Sequence, residues 1–140
     1  MGRNTCDFVE GRLLEIRVAD GYRTVEDVDQ MIAMIGENVA KLLPEEKFTI
    51  AADWRAVQLM PPEVAARARQ MLTKVNPRVV RSSILTLPAN PLTNLQVIRL
   101  IREAENSSRR HFTSAKEHHA WLSEVLTPKE SQRLAKFLGL

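Results

Sequence analysis

Phe48-Thr49-Ile50-Ala51-Ala52-Asp53-Trp54-Arg55 runs straight into Ala56-Val57-Gln58-Leu59-Met60-Pro61-Pro62-Glu63-Val64. The first half is a nearly continuous apolar run, which suits a central strand covered on both faces. Paired prolines then open a helix, where a missing N–H would be unpaired anyway. A strand that ends in an aspartate, turns and enters a helix is one step of an open α/β domain. Such domains place functional loops at the carboxyl ends of their strands. This loop has no glycine-rich phosphate cradle, no serine nucleophile and no cluster of metal ligands.

The pattern continues in both directions. Upstream, Cys6 to Glu10 and Leu13 to Ala19 are short β-like runs joined around Gly11. Leu14, Ile16 and Val18 alternate with Glu15 and Arg17, the period of a half-buried strand. Asp20-Gly21 supplies turn chemistry. Thr24 is an N-cap with Glu26 and Asp27 in the following turn. Val28, Ile32, Ile35, Val39 and Leu42 form one apolar stripe on a helix predicted to end near Leu43. Downstream, Val64, Ala68, Met71, Leu72 and Val75 make the inner face of the second helix. Val79 to Leu87 reads as a strand. Leu92 to about Asn106 reads as a helix with Leu95, Ile98, Ile101 and Ala104 turned inward, plus Val97 and Leu100. His111 to Thr113 reads as a short last strand.

Two capping boxes follow, Ser114-Ala115-Lys116-Glu117 and Thr127-Pro128-Lys129-Glu130. They open helices carrying Trp121, Leu122 and Val125, and then Leu134, Phe137 and Leu138. The order predicts an α/β fold: a four- to five-stranded, mostly parallel sheet with an antiparallel edge hairpin and four to five helices. It is one domain over residues 1–140, with residues 127–140 a helical extension.

Composition narrows the function classes. The chain is 44% hydrophobic and 26% charged, ordinary for a globular domain. It has no run near the roughly 18 apolar residues of a membrane span. A single cysteine, Cys6, and no visible secretory signal imply a cytoplasmic setting. Residues 1–50 hold 6 Lys/Arg against 10 Asp/Glu; the remainder holds 14 against 7. That asymmetry can steer a partner, pair one subunit with another, or simply be an uneven solvated surface. Arg67, Arg69, Lys74, Arg78 and Arg81 cluster in sequence, but no aromatic residues interleave and no nucleic-acid motif appears. His118 and His119 are neighbours on one helix and face different ways, a poor chelating pair even with His111. No nucleophile accompanies them. No metal, no cofactor and no enzymatic activity are expected.

Arg110-His111-Phe112-Thr113-Ser114-Ala115, followed by Ala120-Trp121-Leu122, resembles the ending of STAS-like proteins, the fold of bacterial anti-sigma-factor antagonists. The Asp53-Trp54-Arg55 strand end resembles the same group. The resemblance implies a non-enzymatic signalling module acting through protein–protein contact. In phosphorylated antagonists the loop after this strand carries a serine at a helix start. Here Gln58 to Glu63 has no hydroxyl, so that switch is not expected. Binding would rest on Trp54, Val57, Leu59 and Met60, flanked by Asp53, Arg55, Gln58, Glu63 and Arg67. A covering partner or a second copy of the chain, hence a homodimer, would follow from the exposed apolar loop. The alternative is a small carrier or sensor of an apolar ligand or lipid, as in the topologically similar CRAL-TRIO domains. Its pocket would lie between the sheet and the helix bearing Met31, Met34 and Ile35.

Overall fold

The computed structural model describes residues 3–74 and 76–140. The strands are β1 (Thr5–Phe8), β2 (Leu13–Arg17), β3 (Phe48–Asp53), β4 (Val79–Leu85) and β5 (Arg109–Phe112). The helices are α1 (Val25–Val39), α2 (Pro62–Thr73), α3 (Pro91–Ala104), α4 (Ala115–Ser123) and α5 (Pro128–Leu138). The fold is α/β, with one five-stranded sheet in the order β1-β2-β3-β4-β5. β1 is antiparallel to β2 and every other pairing is parallel.

Because strand order follows chain order, successive crossovers of one hand put α1, α2 and α3 on the same face. The other face is left for α4 and α5. β3 shows the division. Phe48 and Ala52 join the core under α1–α3, with Ile50 packed against it, and Ala51 joins the core under α4 and α5. The sheet order never reverses, so it lacks the topological switch point that marks ligand sites in doubly wound sheets. The strand-end loop after β3 therefore has no special claim from topology.

The α5 extension is built into the domain. Leu134, Phe137 and Leu138 pack on Leu13, Ala51, Leu85 and Leu122. Fully burying one such leucine stabilises by about 1.5–3 kcal/mol. Thr127 and Glu130 form a reciprocal capping box, and the second oxygen of Glu130 accepts from the Arg12 amide at 2.7 Å. Gly11 makes that approach possible: at φ +58° it has no Cβ to meet the Glu130 carboxylate. Ser114 caps α4 by accepting from the Glu117 amide.

Several expectations need correcting. β2 is buried on both faces rather than half-buried. Glu15 lies beneath α5 in a two-pronged ion pair with Arg133, at 2.7 and 2.8 Å. α1 ends at Val39, before Leu43. β4 stops at Leu85, and Leu87 is exposed. α3 turns Thr93, Val97, Leu100 and Ala104 inward, leaving Leu95 64% exposed and Ile98 on the surface. Val75 lies outside the described residues. Cys6 is a core residue of β1, and burial pushes its thiol up to about 12, so the reactive thiolate is suppressed. Acidic residues of the first part of the chain pair with basic residues of the second inside the domain, as in Asp29–Arg67 and Glu15–Arg133.

Candidate functional site: a cavity between the sheet and helices α1 and α2

The loop after β3 is turned largely inward. Trp54 is only 2% exposed and meets Tyr22 edge-on, ring centroids 5.3 Å apart. Val57 and Met60 are also buried, and the Met60 backbone is held by both ends of the Gln96 amide. Of the four apolar side chains expected to face a partner, only Leu59, 56% exposed, does so. Gln58 and Glu63 are exposed. Arg67 pairs with Asp29 at 2.6 Å.

Asp53 and Arg55 are joined, but in a structural assembly. The buried Asp53 carboxylate accepts from Arg17 Nη1 at 2.6 Å and from Arg55 Nε at 2.9 Å. The same guanidiniums donate to the Phe137 and Leu138 carbonyls. Those carbonyls belong to the last turn of α5, whose negative dipole end favours cations. The three residues thus fasten the C-terminal helix to the strand end.

The histidines part company. His118 is fully buried, with Nε2 2.8 Å from Ser83 Oγ, and desolvation pulls its pKa down to about 4. His119 meets the Ser131 carbonyl at 2.9 Å. A serine–histidine contact sealed beneath α4 has no route to a substrate.

The space available for chemistry lies on the opposite face. A cavity of about 700 Å³ runs between the sheet and helices α1 and α2. Its walls are Ile16, Phe48, Ile50, Ala52, Trp54 and Ile84 from the sheet side, with Met31, Ile32, Ile35 and Val39 of α1 and Met71 and Leu72 of α2. Small residues make the room: Ala52 on β3, Ser82 on β4 and Gly36 on α1. A Cβ built on Gly36 would meet nothing within 4 Å. A sealed, dry void of this volume would cost on the order of 17 kcal/mol at about 24 cal/mol per Å³. That exceeds the roughly 5–15 kcal/mol by which domains are stable. The space therefore opens to solvent or is filled, and its volume is that of a small-molecule site. Since Gly36 sits in the last turn of α1 beside open space, Gly36→Ala is expected to raise stability by about 0.5–1 kcal/mol, read by urea denaturation.

The polar groups around this cavity are unevenly supplied. Tyr22 and Trp54 stand where β2 and β3 finish. Lys74, Arg78 and Arg109 stand at the other end, where β4 and β5 begin. Arg109 donates through Nη1 to the Leu72 carbonyl at 2.7 Å, while its Nε–H is buried without a partner. The Tyr22 hydroxyl is also buried and unpartnered, and burial keeps it protonated. The expectation that α1 methionines line a pocket holds for Met31, along with Ile35. Met34 packs against the core instead. Sequence reading missed Lys74, Arg78 and Arg109 as a group. The signal was their position at the end of α2, just before β4 and at the start of β5, which becomes a cluster only once β4 and β5 pair.

No family model, no curated protein and no solved structure matches the chain. No helix among the described residues is long and apolar enough to cross a membrane.

Proposed function

We propose that the domain is a small-molecule binding module, a carrier or sensor that takes an apolar ligand between the sheet and helices α1 and α2. The single observation that carries this reading is the 700 Å³ cavity, apolar-walled and roomy because Gly36, Ala52 and Ser82 are small. A 140-residue α/β domain has no packing need for such a space, since protein interiors are close-packed with few voids larger than a water. The reading is non-enzymatic: the walls offer shape and burial rather than a nucleophile with its base.

Trp54 lines the cavity and Trp121 lies on the opposite face, stacked under Arg81. A Trp121→Phe protein therefore reports the cavity through one fluorophore. Titration with dodecanol below its solubility limit should shift Trp54 emission saturably. Ala52→Phe, which fills the space from the strand, should abolish the response while the far-ultraviolet circular dichroism is kept. Unchanged binding in a folded Ala52→Phe protein would sink the reading.

A second reading, a signalling module that docks on a protein partner, draws on a different observation. The Gln96–Met60 hydrogen bonds tie the loop after β3 to α3, and Leu59 of the loop and Leu92 and Leu95 of α3 are all exposed. Exposed large apolar side chains on two connected elements favour contact with a partner or with a second copy. Sedimentation velocity of wild type and of Leu59→Asp/Leu95→Asp tests the homodimer.

A further inference from the structure

Resting on the cavity reading, we infer that the ligand is an amphiphilic anion: a single apolar chain along the sheet and an acidic head at Lys74, Arg78 and Arg109.

Charge and hydrogen-bond supply both point this way. Among the described residues four cations line the cavity, Arg67, Lys74, Arg78 and Arg109, and no carboxylate does. Arg67 is matched by Asp29. The other three have no carboxylate within salt-bridge distance among the described residues. They converge because Lys74 ends α2, Arg78 precedes β4 and Arg109 begins β5, all at the end of the sheet where the parallel strands begin. Arg109 is the sharpest case. Its Nε–H is buried and unsatisfied, and desolvation lowers its pKa. A buried guanidinium N–H with no acceptor is unfavourable until an acceptor such as an anionic oxygen joins it. The planar fork suits a carboxylate or phosphate oxygen pair.

The amides at this end reinforce the bias. Gln70 Oε1 accepts from Arg67, Asn76 Oδ1 from the Arg78 amide, and Asn106 Oδ1 from Ser108. Each of those oxygens is already engaged, whereas the side-chain amide N–H groups of Gln70, Asn76 and Asn106 donate to no protein group among the described residues. From Phe48 to Trp54 the strand covers about 20 Å at roughly 3.3 Å per residue. That length takes a medium-length alkyl chain with its tail against Trp54.

Three probes of equal chain length separate head from tail: dodecanoate, dodecanol and dodecyltrimethylammonium, each below its micellar concentration, with dodecyl phosphate as a fourth arm. The readout is Trp54 fluorescence in the Trp121→Phe protein. Dodecanoate, dodecyl phosphate or both should bind at least ten-fold tighter than dodecanol, and the cation weakest. Whichever anion is tighter identifies the head as carboxylate or phosphate. Removing two methylenes from the tighter anion should weaken it by roughly 15-fold, at about 0.8 kcal/mol per buried CH₂. Arg109→Gln should erase the anion's advantage and leave dodecanol unchanged. Should Arg109→Gln fail to fold, Lys74→Gln/Arg78→Gln, changed outside the core, should reduce the advantage several-fold. Equal binding of dodecanol and both anions, or tighter binding of the cation, would overturn the anionic head while leaving the cavity reading intact. No response to any of the four would overturn both.

Discussion

Replacing Asp53 by alanine is expected to remove about 3 kcal/mol of stability, by a loss that begins in the C-terminal helix. The carboxylate is buried and accepts from Arg17 Nη1, from Arg55 Nε and Nη2, and from the Arg55 amide. Breaking a buried ion pair by deleting one partner costs about 3–5 kcal/mol, because the remaining charge is stranded. Here Arg17 and Arg55 each keep roughly a third of their side chains in solvent, which places the effect at the lower end. At about 2.1 cal/mol/K per residue, 3 kcal/mol lowers the Tm of a chain this size by about 10 °C. The two guanidiniums also hold the Phe137 and Leu138 carbonyls, so amide exchange should accelerate in α5 before β3. Asp53→Asn, which keeps the shape and one acceptor, should fall between. A loss under 0.5 kcal/mol, with α5 exchange unchanged, would show that the carboxylate is not a fastener. Ligand binding at the opposite face should survive the substitution, because the cavity and Asp53 lie on different sides of the sheet.

Acid is expected to destabilise the domain by a comparable amount through His118 alone. The imidazole is fully buried against Ser83, Phe112 and the sheet. Desolvation is the largest influence on it; Asp53 raises its pKa, while Arg55 and His119 lower it. The net effect takes the group from 6.5 to about 4. Between those values the unfolded chain holds a proton that the folded chain refuses. Stability is therefore fully present above pH 6.5, declines as pH falls, and has lost the whole contribution near pH 4. At 1.36 kcal/mol per pH unit the window amounts to roughly 3 kcal/mol. Carboxylates also titrate there, so the clean measurement is a difference. Urea unfolding of wild type and His118→Gln at pH 7, 6, 5 and 4.5 should show the gap between them closing toward acid. Parallel curves would mean that the histidine titrates alike in the folded and unfolded chains, as a solvated imidazole would.

Much of the fold was legible because local chemistry and global topology agree. Thr24 with Asp27 and Thr127 with Glu130 close reciprocal capping boxes, and Pro61-Pro62 marks the start of α2. The alternation of Phe48, Ile50 and Ala52 with Thr49, Ala51 and Asp53 sorts β3 between two cores. On α3, Val97, Leu100 and Ala104 face the core as expected, but Leu95 and Ile98 were assigned to the wrong face for an identifiable reason. Apolar residues at 92, 95, 97, 98, 100, 101 and 104 surround the helix, so periodicity alone cannot select a face. The buried Glu15 misled for a related reason. A charged residue in an alternating strand signals solvent, unless a distant cation such as Arg133 arrives to pair with it.

The amino-acid sequence by itself determined the order and type of the elements, because capping, proline placement and short-range apolar period act within a turn or two of chain. It also determined that the loop after β3 lacks a phosphorylatable hydroxyl. Tertiary structure decided where the space is and what faces it. A cavity is made by residues that do too little filling, and Gly36, Ala52 and Ser82 are unremarkable until α1, β3 and β4 oppose them. The same assembly turned Trp54 from a surface anchor into a cavity wall and gathered Lys74, Arg78 and Arg109 at the end of the sheet where β4 and β5 begin. Burial and convergence of charge depend on contacts between residues far apart in the chain, which no local pattern encodes.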